Sequence, residues 1–253
     1  MIKAIYIGGP TAIIEIAGLR IMIDPTLDPA GNIYSSGTIN LQKSQGPAKA
    51  SIGKIDYVLL SHDQHPDNLD KGGRLLLSKV IHTYTTKTGA ARLGGTSIGL
   101  APWESKVLPT NNGDLVTITA TPARHGPSGI ESISGEVIGF VLSVRGKDEI
   151  EIYITGDTVY YEGVAEVAKA FKPQYIFLFA GAAKPRGAFN MTMDTNDAID
   201  TAFAFPQAII IPLHYEGWKH LSQDQNDLLR SFGVIGIEDR LKILAKGVVE
   251  ELA

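Results

Sequence analysis

The sequence predicts an α/β chain of the α+β kind, an internally duplicated sandwich folded as a single domain over residues 1–253. Three observations predict it. Short apolar blocks set off by Gly, Pro and Asn turns recur in both halves, the pattern of consecutive strands. Segments of helical spacing close each half. No short repeat, low-complexity block or polar linker divides the chain, whose length one large domain can fill.

Ile2 to Ile7, Ala12 to Ile16 and Leu19 to Ile23 are apolar runs separated by Gly8-Gly9-Pro10 and Gly18, so they read as antiparallel strands with tight turns. The third ends in Asp24-Pro25. Asp24 either caps a turn, the commoner arrangement, or points its carboxylate toward a nearby site. Thr26 to Lys49 is rich in Gly, Ser, Asn and Pro and is expected to be a long lid or binding loop. Ile55 to Leu60 is almost continuously apolar, as suits a strand buried on both faces. It delivers Ser61-His62-Asp63-Gln64-His65-Pro66-Asp67-Asn68-Leu69-Asp70, where histidines and carboxylates crowd together. Gly72 to Leu77 reads as a short helix. Val80 to Thr86 is strand-like, and His82 within it reads as a packed or surface residue because no carboxylate cluster lies beside it.

Leu93 to Thr96 and Asn111 to Asp114 are turns, and Val116 to Thr121 alternates as a strand that leads to Arg124-His125. Val137 to Val144 and Ile150 to Ile154 form a hairpin that closes on Thr155-Gly156-Asp157-Thr158. Val164 to Phe171 has helical spacing and Pro173 stops it. Tyr175 to Ala180 is a buried strand before the small-residue loop Gly181 to Gly187. A helix capped by Asp194 or Thr195 runs through Phe203. Ala208 to Leu213 is the last long strand, with His214 after it; Asp224 to Phe232 is a closing helix, and Leu241 to Leu252 contains a final strand.

Hydrophobic residues are 44% of the chain and charged residues 20%, the balance of an ordinary globular protein. A formal net charge of -4 gives no overall basic field for a phosphate backbone, so no nucleic-acid partner is expected. The absence of cysteine excludes disulfides, thiolate ligands and a cysteine nucleophile, which leaves His, Asp and Glu to hold any metal. No apolar run approaches the roughly 20 residues that span a bilayer, and the N-terminus enters a strand pattern at once. A cytoplasmic protein without a membrane partner is the expectation. A homo-oligomer is compatible with the sequence, which does not specify one.

Taken alone, His62 to Asp70 reads more readily as a polar turn after a buried strand than as a metal site. Other strand ends change that reading: separate apolar strands lead into His62 to Asp67, His125, Asp157 and His214. Neighbouring strands lie about 4.8 Å apart, so ligands carried on strand ends at one sheet edge converge on one ion or a close pair. Neutral imidazole with carboxylate is a ligand set suited to borderline-soft divalent ions.

With these residues in hand, the chain resembles the metallo-β-lactamase superfamily, and within it the branch that contains L-ascorbate-phosphate lactonases. The resemblance covers nearly the whole chain. It rests on Gly9-Pro10-Thr11-Ala12-Ile13-Ile14-Glu15-Ile16 through Ile23-Asp24-Pro25, on Leu59-Leu60-Ser61-His62, on His125, on Thr155-Gly156-Asp157-Thr158, on Met191-Thr192-Met193 and on Ile211-Pro212-Leu213-His214-Tyr215. It implies a four-layer αββα sandwich, one or two divalent ions, Zn or Mn foremost, and hydrolysis of a small-molecule substrate by a metal-bound hydroxide. The family pattern His-x-His-x-Asp-His is altered here. Alignment on His62 puts the second histidine at Gln64; alignment on Asp67 gives that place to His65, with one extra residue that a strand-end bulge absorbs at small cost. Asn68 then stands where the family has its last histidine.

By carry-over, the resemblance implies that His62, His65 and His125 hold a first ion, that Asp157 bridges, and that Asp67 and His214 serve a second. Asn68 becomes a weak ligand or hydrogen-bond donor, with Asp63 and Asp24 as further candidates around the ions. Asp67 is the candidate general base. Arg124, Lys184 and Arg186 are candidates for an anionic part of the substrate, against the alternative of solvated surface charge. Tyr215, with Glu216 and Trp218, either lines the pocket or simply packs. The implied activity is hydrolysis of a small anionic ester, lactone or phosphodiester. A catalytically weak metal- or ligand-binding sensor of the same fold is the alternative, and a nuclease like the RNase Z branch is disfavoured by the acidic charge.

Overall fold

The computed structural model describes residues 2–36, 39–49, 51–110, 113–146 and 149–252. The turn expected at Asn111 to Asp114 falls partly outside the described residues, as does the middle of the segment Thr26 to Lys49.

The chain begins with a meander of β1 (Ile2–Gly8), β2 (Thr11–Ile16) and β3 (Leu19–Ile23), each antiparallel to the one before. A small hairpin, β4 (Ile33–Ser36) with β5 (Ile39–Gln42), then stands apart from the large sheets. β6 (Tyr57–Leu59) runs parallel to β3 and is followed by α1 (Lys71–Leu77), β7 (His82–Thr86), α2 (Lys87–Leu93) and β8 (Ser97–Leu100). The second half repeats the plan. β9 (Ser105–Leu108), β10 (Leu115–Pro122), the short α3 (Glu131–Ser134), β11 (Ile138–Arg145) and β12 (Ile150–Ile154) come first, and these strands are antiparallel. Then come α4 (Glu162–Ala170), β13 (Tyr175–Phe179), α5 (Thr195–Ala204), β14 (Ile209–Leu213), α6 (Gln225–Val234) and β15 (Val249–Leu252), with β12, β13 and β14 parallel. Among the described residues one sheet has the order β15-β1-β2-β3-β6-β7-β8 and the other β14-β13-β12-β11-β10-β9.

Strand alternation sorts the apolar residues into layers. Ile14, Ile21 and Leu59 of the first sheet and Ile118, Phe140 and Ile152 of the second share the central core. On the outer face of the first sheet, Met22 and Val58 pack with Leu69 and Leu77. On the outer face of the second, Val141 and Ile176 pack with Val164 and Val167 of α4, Ala198 of α5 and Phe232 of α6. These contacts make the four layers αββα, as expected.

Two local expectations change. The segment Thr26 to Lys49 is not only loop, because β4 and β5 pair within it. Lys87–Leu93 forms a helix that its polar, Gly-containing sequence does not signal; the Thr86 hydroxyl starts it by accepting from the Gly89 N–H.

The pairing also decides where the strand ends meet. β3 and β6 are parallel neighbours, β12 and β14 run the same way through β13, and β10 shares that direction because it is antiparallel to β11, which is antiparallel to β12. Backbone bonds stitch the two sheets where those ends emerge: Ile138 N–H donates to Ser61 O at 3.1 Å and His214 N–H to Gly9 O at 2.7 Å.

Candidate metal centre

Asp24 after β3, His62 after β6, His125 after β10, Asp157 after β12 and His214 after β14 therefore reach one rim, and all five are buried. Among the described residues the rim carries two groups of ligand-bearing side chains, His62 with His65 and His125, and Asp67 with His214 and His220. Within each group the ligand atoms lie within 4.8 Å of one another.

In the first group His65 Nδ1 sits 2.9 Å from His62 Nε2 and 3.2 Å from His125 Nε2. His65, not Gln64, faces the other two; Gln64 turns out toward Glu136 O. The chain bends sharply there, with Asn68 N–H and Leu69 N–H both donating to His65 O. The outer ring nitrogens fix the tautomers. His125 Nδ1 lies 2.8 Å from Met191 O, and a carbonyl only accepts, so Nδ1 carries the proton and Nε2 offers a lone pair. The Ser61 hydroxyl donates to Asp24 Oδ2 at 2.5 Å, which leaves its oxygen to accept from His62 Nδ1 at 2.9 Å. His62 Nε2 is then also a lone pair.

In the second group Asp67 Oδ2 lies 2.9 Å from His220 Nε2 and 3.5 Å from His214 Nε2. Asp157 stands between the groups. Its Oδ2 is 3.7 Å from His125 Nε2 and 4.0 Å from His62 Nε2, and its Oδ1 is 3.7 Å from His214 Nε2. The His214 backbone has φ of +54°, a conformation that a non-glycine residue adopts at a cost, and it aims the ring at the rim.

Burial disfavours protonation of the rim histidines, and the two rim carboxylates shift in opposite senses. Burial lowers His62 well below the ordinary histidine value, lowers His65 and His214, and pushes His125 down to about 3. Burial would raise Asp67, but His220 and His214 beside it outweigh that and hold its carboxyl well below the usual range. Burial, with Asp67 and Asp24 nearby, pushes Asp157 well above it. Asp67 Oδ1, Asp157 Oδ1 and both ring nitrogens of His214 and His220 are buried with no hydrogen-bond partner among the described residues. Buried polar atoms are otherwise nearly always paired. Ligand nitrogens on a tetrahedral ion with bonds near 2.0–2.1 Å are about 3.3 Å apart, close to the separations seen in the first group. The donor set fits one divalent ion at each group.

The remaining expected residues divide. Asp24 sits behind the first group and accepts from Ser61 N–H at 2.7 Å, from the Ser61 hydroxyl and from Asn68 Nδ2 at 3.0 Å. Asn68 donates through Nδ2 to Asp24, while its Oδ1 is buried with no hydrogen-bond partner among the described residues and its side chain also reaches Asp157. Asp63 departs from expectation: it turns away from the rim and pairs with the Arg92 guanidinium, while Arg74 holds its backbone carbonyl. Of the two readings for Tyr215 the packing one holds: it stacks on Tyr6 within the core between the sheets. Glu216 pairs with Lys246, and Trp218 packs against Tyr34 under Lys43.

Arg124 lays its guanidinium over the Tyr161 ring at 4.5 Å and lines, with His125, a cavity of about 320 Å³. Arg186 lines another of about 390 Å³ with Ile39, Ile130, Ile133, Pro185 and Phe189. Its Nε is buried without a partner among the described residues, and its charge is felt at His65. Lys184 is exposed. His82 lies away from the rim, against Thr96 O. Sequence reading missed His220 altogether: it follows no strand, and its only signal is that it comes six residues after His214 in a chain with six histidines and no cysteine.

Comparison with known proteins gives the family and the fold. The family profile described as Beta-lactamase superfamily domain matches residues 19–215. A UPF0173 metal-dependent hydrolase of Pelotomaculum thermopropionicum is 30% identical over 258 residues, covering 99% of this chain and 100% of the relative. The isothiocyanate hydrolase from Delia radicum gut bacteria superposes with a TM-score of 0.82 at 24% identity over 99% of both chains. A possible metal-dependent hydrolase from Veillonella parvula does so with 0.81 at 20% identity over 100% of both. At such identities the two structures speak for the fold.

Proposed function

The chain belongs to the beta-lactamase superfamily, and from that membership we propose that this metal-dependent hydrolase cleaves a small anionic ester, lactone or phosphodiester at the rim described above. The observation that carries the reading is Asp157, set between two groups of buried ligand side chains, with Arg186 lining an apolar pocket close enough for its charge to be felt at His65.

His62, His65 and His125 would hold one ion, and Asp67 and His214 belong to the other, with Asp157 facing both. When bound, such ions supply Lewis acidity and make water acidic enough to lose a proton near neutral pH. The protein's own groups do the rest. The Asp24–Ser61–His62 relay keeps the His62 lone pair inward, and Met191 O does the same for His125. Asp67, ionised across the neutral range, accepts a hydrogen bond from the attacking water and orients it. Arg186 receives the anionic part of the substrate, while Ile130, Ile133 and Phe189 cover its apolar part.

The test is elemental analysis of protein purified without added metal, followed by a hydrolysis screen over lactones, phosphodiesters and carboxylic esters with and without chelator. Chelator-sensitive turnover of one anionic class, abolished in His62→Ala, is the expected result. A protein with no bound metal and no turnover in the presence of added Zn²⁺ or Mn²⁺ overturns the reading.

A further inference from the structure

We propose that His220 is a ligand of the second ion and stands in for the imidazole that the motif lacks at Asn68. The inference rests on the metal-dependent reading above and concerns how this chain completes its site.

The geometry of His220 is that of a ligand without its ion. Its Nε2 comes within 2.9 Å of Asp67 Oδ2, yet neither ring nitrogen makes a hydrogen bond among the described residues. The close approach to Asp67 therefore lacks the geometry of a hydrogen bond. That is how two side chains lie when both address a third atom. A structural histidine in so enclosed a place, with a side chain only 8% exposed, would ordinarily spend at least one nitrogen on a hydrogen bond. Asn68 spends its amide nitrogen on Asp24 and keeps one buried amide oxygen without a partner among the described residues, a weaker ligand for a borderline-soft ion than an imidazole.

The loop that carries His220 is fixed on both sides, so the ring is positioned before any ion arrives. Lys184 N–H donates to His220 O at 3.0 Å, and Leu221 bridges to Ala183. Lys219 N–H donates to Gln42 O at 3.0 Å, Ser44 N–H to Gly217 O at 2.8 Å, and Trp218 bridges to Lys43. The segment at the end of the β4–β5 hairpin thus braces the loop. One substitution in the motif and one histidine in a distant loop leave the second ion with Asp67, two imidazoles and the facing Asp157, so the ligand has moved rather than vanished.

Zn²⁺ titration with elemental analysis tests the proposal. Wild type should bind two ions. His220→Ala should keep one and weaken the other by about 100-fold. Adding Asn68→His to that variant should restore the second ion, and His82→Ala should leave both. In wild type, ¹⁵N imidazole spectra should show the His220 Nε2 signal moving with the second equivalent of Zn²⁺, a readout that survives if His220→Ala fails to fold. Two ions held with unchanged affinity in His220→Ala, failure of Asn68→His to restore the lost ion, or a His220 signal unmoved by Zn²⁺ overturns the proposal. One ion in wild type that His220→Ala does not disturb overturns it too, while leaving metal dependence standing. No ion in wild type removes both readings.

Discussion

The Asp24 carboxylate holds Ser61 at two points, accepting its backbone N–H at 2.7 Å on Oδ1 and its hydroxyl at 2.5 Å on Oδ2. Through that hydroxyl it sets the tautomer of His62, although it touches none of the three clustered histidines itself. Asp24→Ala is therefore expected to weaken Zn²⁺ binding at the first group by about 10–100-fold, the usual cost of losing an outer partner of a ligating histidine. Competition with a chromophoric chelator measures it. Unchanged affinity would show that the Ser61 contact does not govern the ring.

Removing metal should destabilise the fold, because ions bind the native rim and not the unfolded chain. At free metal about 100 times Kd the contribution is about 2.7 kcal/mol per site. Thermal melts before and after chelation should show a lower Tm that added Zn²⁺ restores. Identical melts in both states would contradict linked binding.

The metal-free protein should also be acid-sensitive. The four rim histidines with lowered values stay neutral in the fold, so their contribution is complete above the ordinary histidine value near 6.5 and is lost as pH falls toward the folded values, about 3 for His125. Asp24, raised by burial to about 7, and Asp157, raised well above the ordinary carboxylate value, act in the opposite sense, losing stability as pH rises. Asp67, held below the usual carboxylate range, adds to the histidines, and Asp197, raised by burial to about 6, to the opposing side, so five groups face three and stability should climb between about pH 4 and 6.5. Urea midpoints of the metal-free protein at several pH values check the sign; a fall from pH 4.5 to 6 would reverse it.

Gly73→Ala tests the support beneath the rim. A Cβ at Gly73 would lie 1.9 Å from Pro25 O, next to Asp24, and backbone has to move to admit it. We expect a loss of about 2–3 kcal/mol, read by denaturant unfolding. Wild-type stability in this variant would mean that α1 and the end of β3 are not packed as described.

Arg186 should matter for binding more than for the chemical step. Arg186→Gln is expected to raise KM for an anionic substrate by about 10-fold or more, from the loss of a charge-assisted hydrogen bond. Little change in kcat should accompany it. Equal effects on charged and neutral substrates would argue that the guanidinium does not meet the anion.

Much of this was readable along the chain because a sheet strand and its ligand are adjacent in sequence. Apolar runs mark the strands, and His62, His125, Asp157 and His214 follow closely after them. The β4–β5 hairpin was not readable, since it packs in neither large sheet and its few apolar residues leave no periodic signal. Asp63 misled because position beside a ligand says nothing about direction: its carboxylate turns to Arg92. For Tyr215 the same lack of direction left pocket lining and packing both open, and it turns inward to Tyr6.

The sequence by itself determined the sandwich, the strands that bear the ligands and the absence of a thiolate site, because hydrophobic period and residue chemistry are local properties. Only the tertiary structure decided that His65 rather than Gln64 joins the first group, that Asn68 gives its amide nitrogen to Asp24, and that His220 comes to Asp67. Those choices depend on where a bulge and a loop are pinned by backbone bonds to distant segments, and side-chain direction at such points is set by packing in three dimensions.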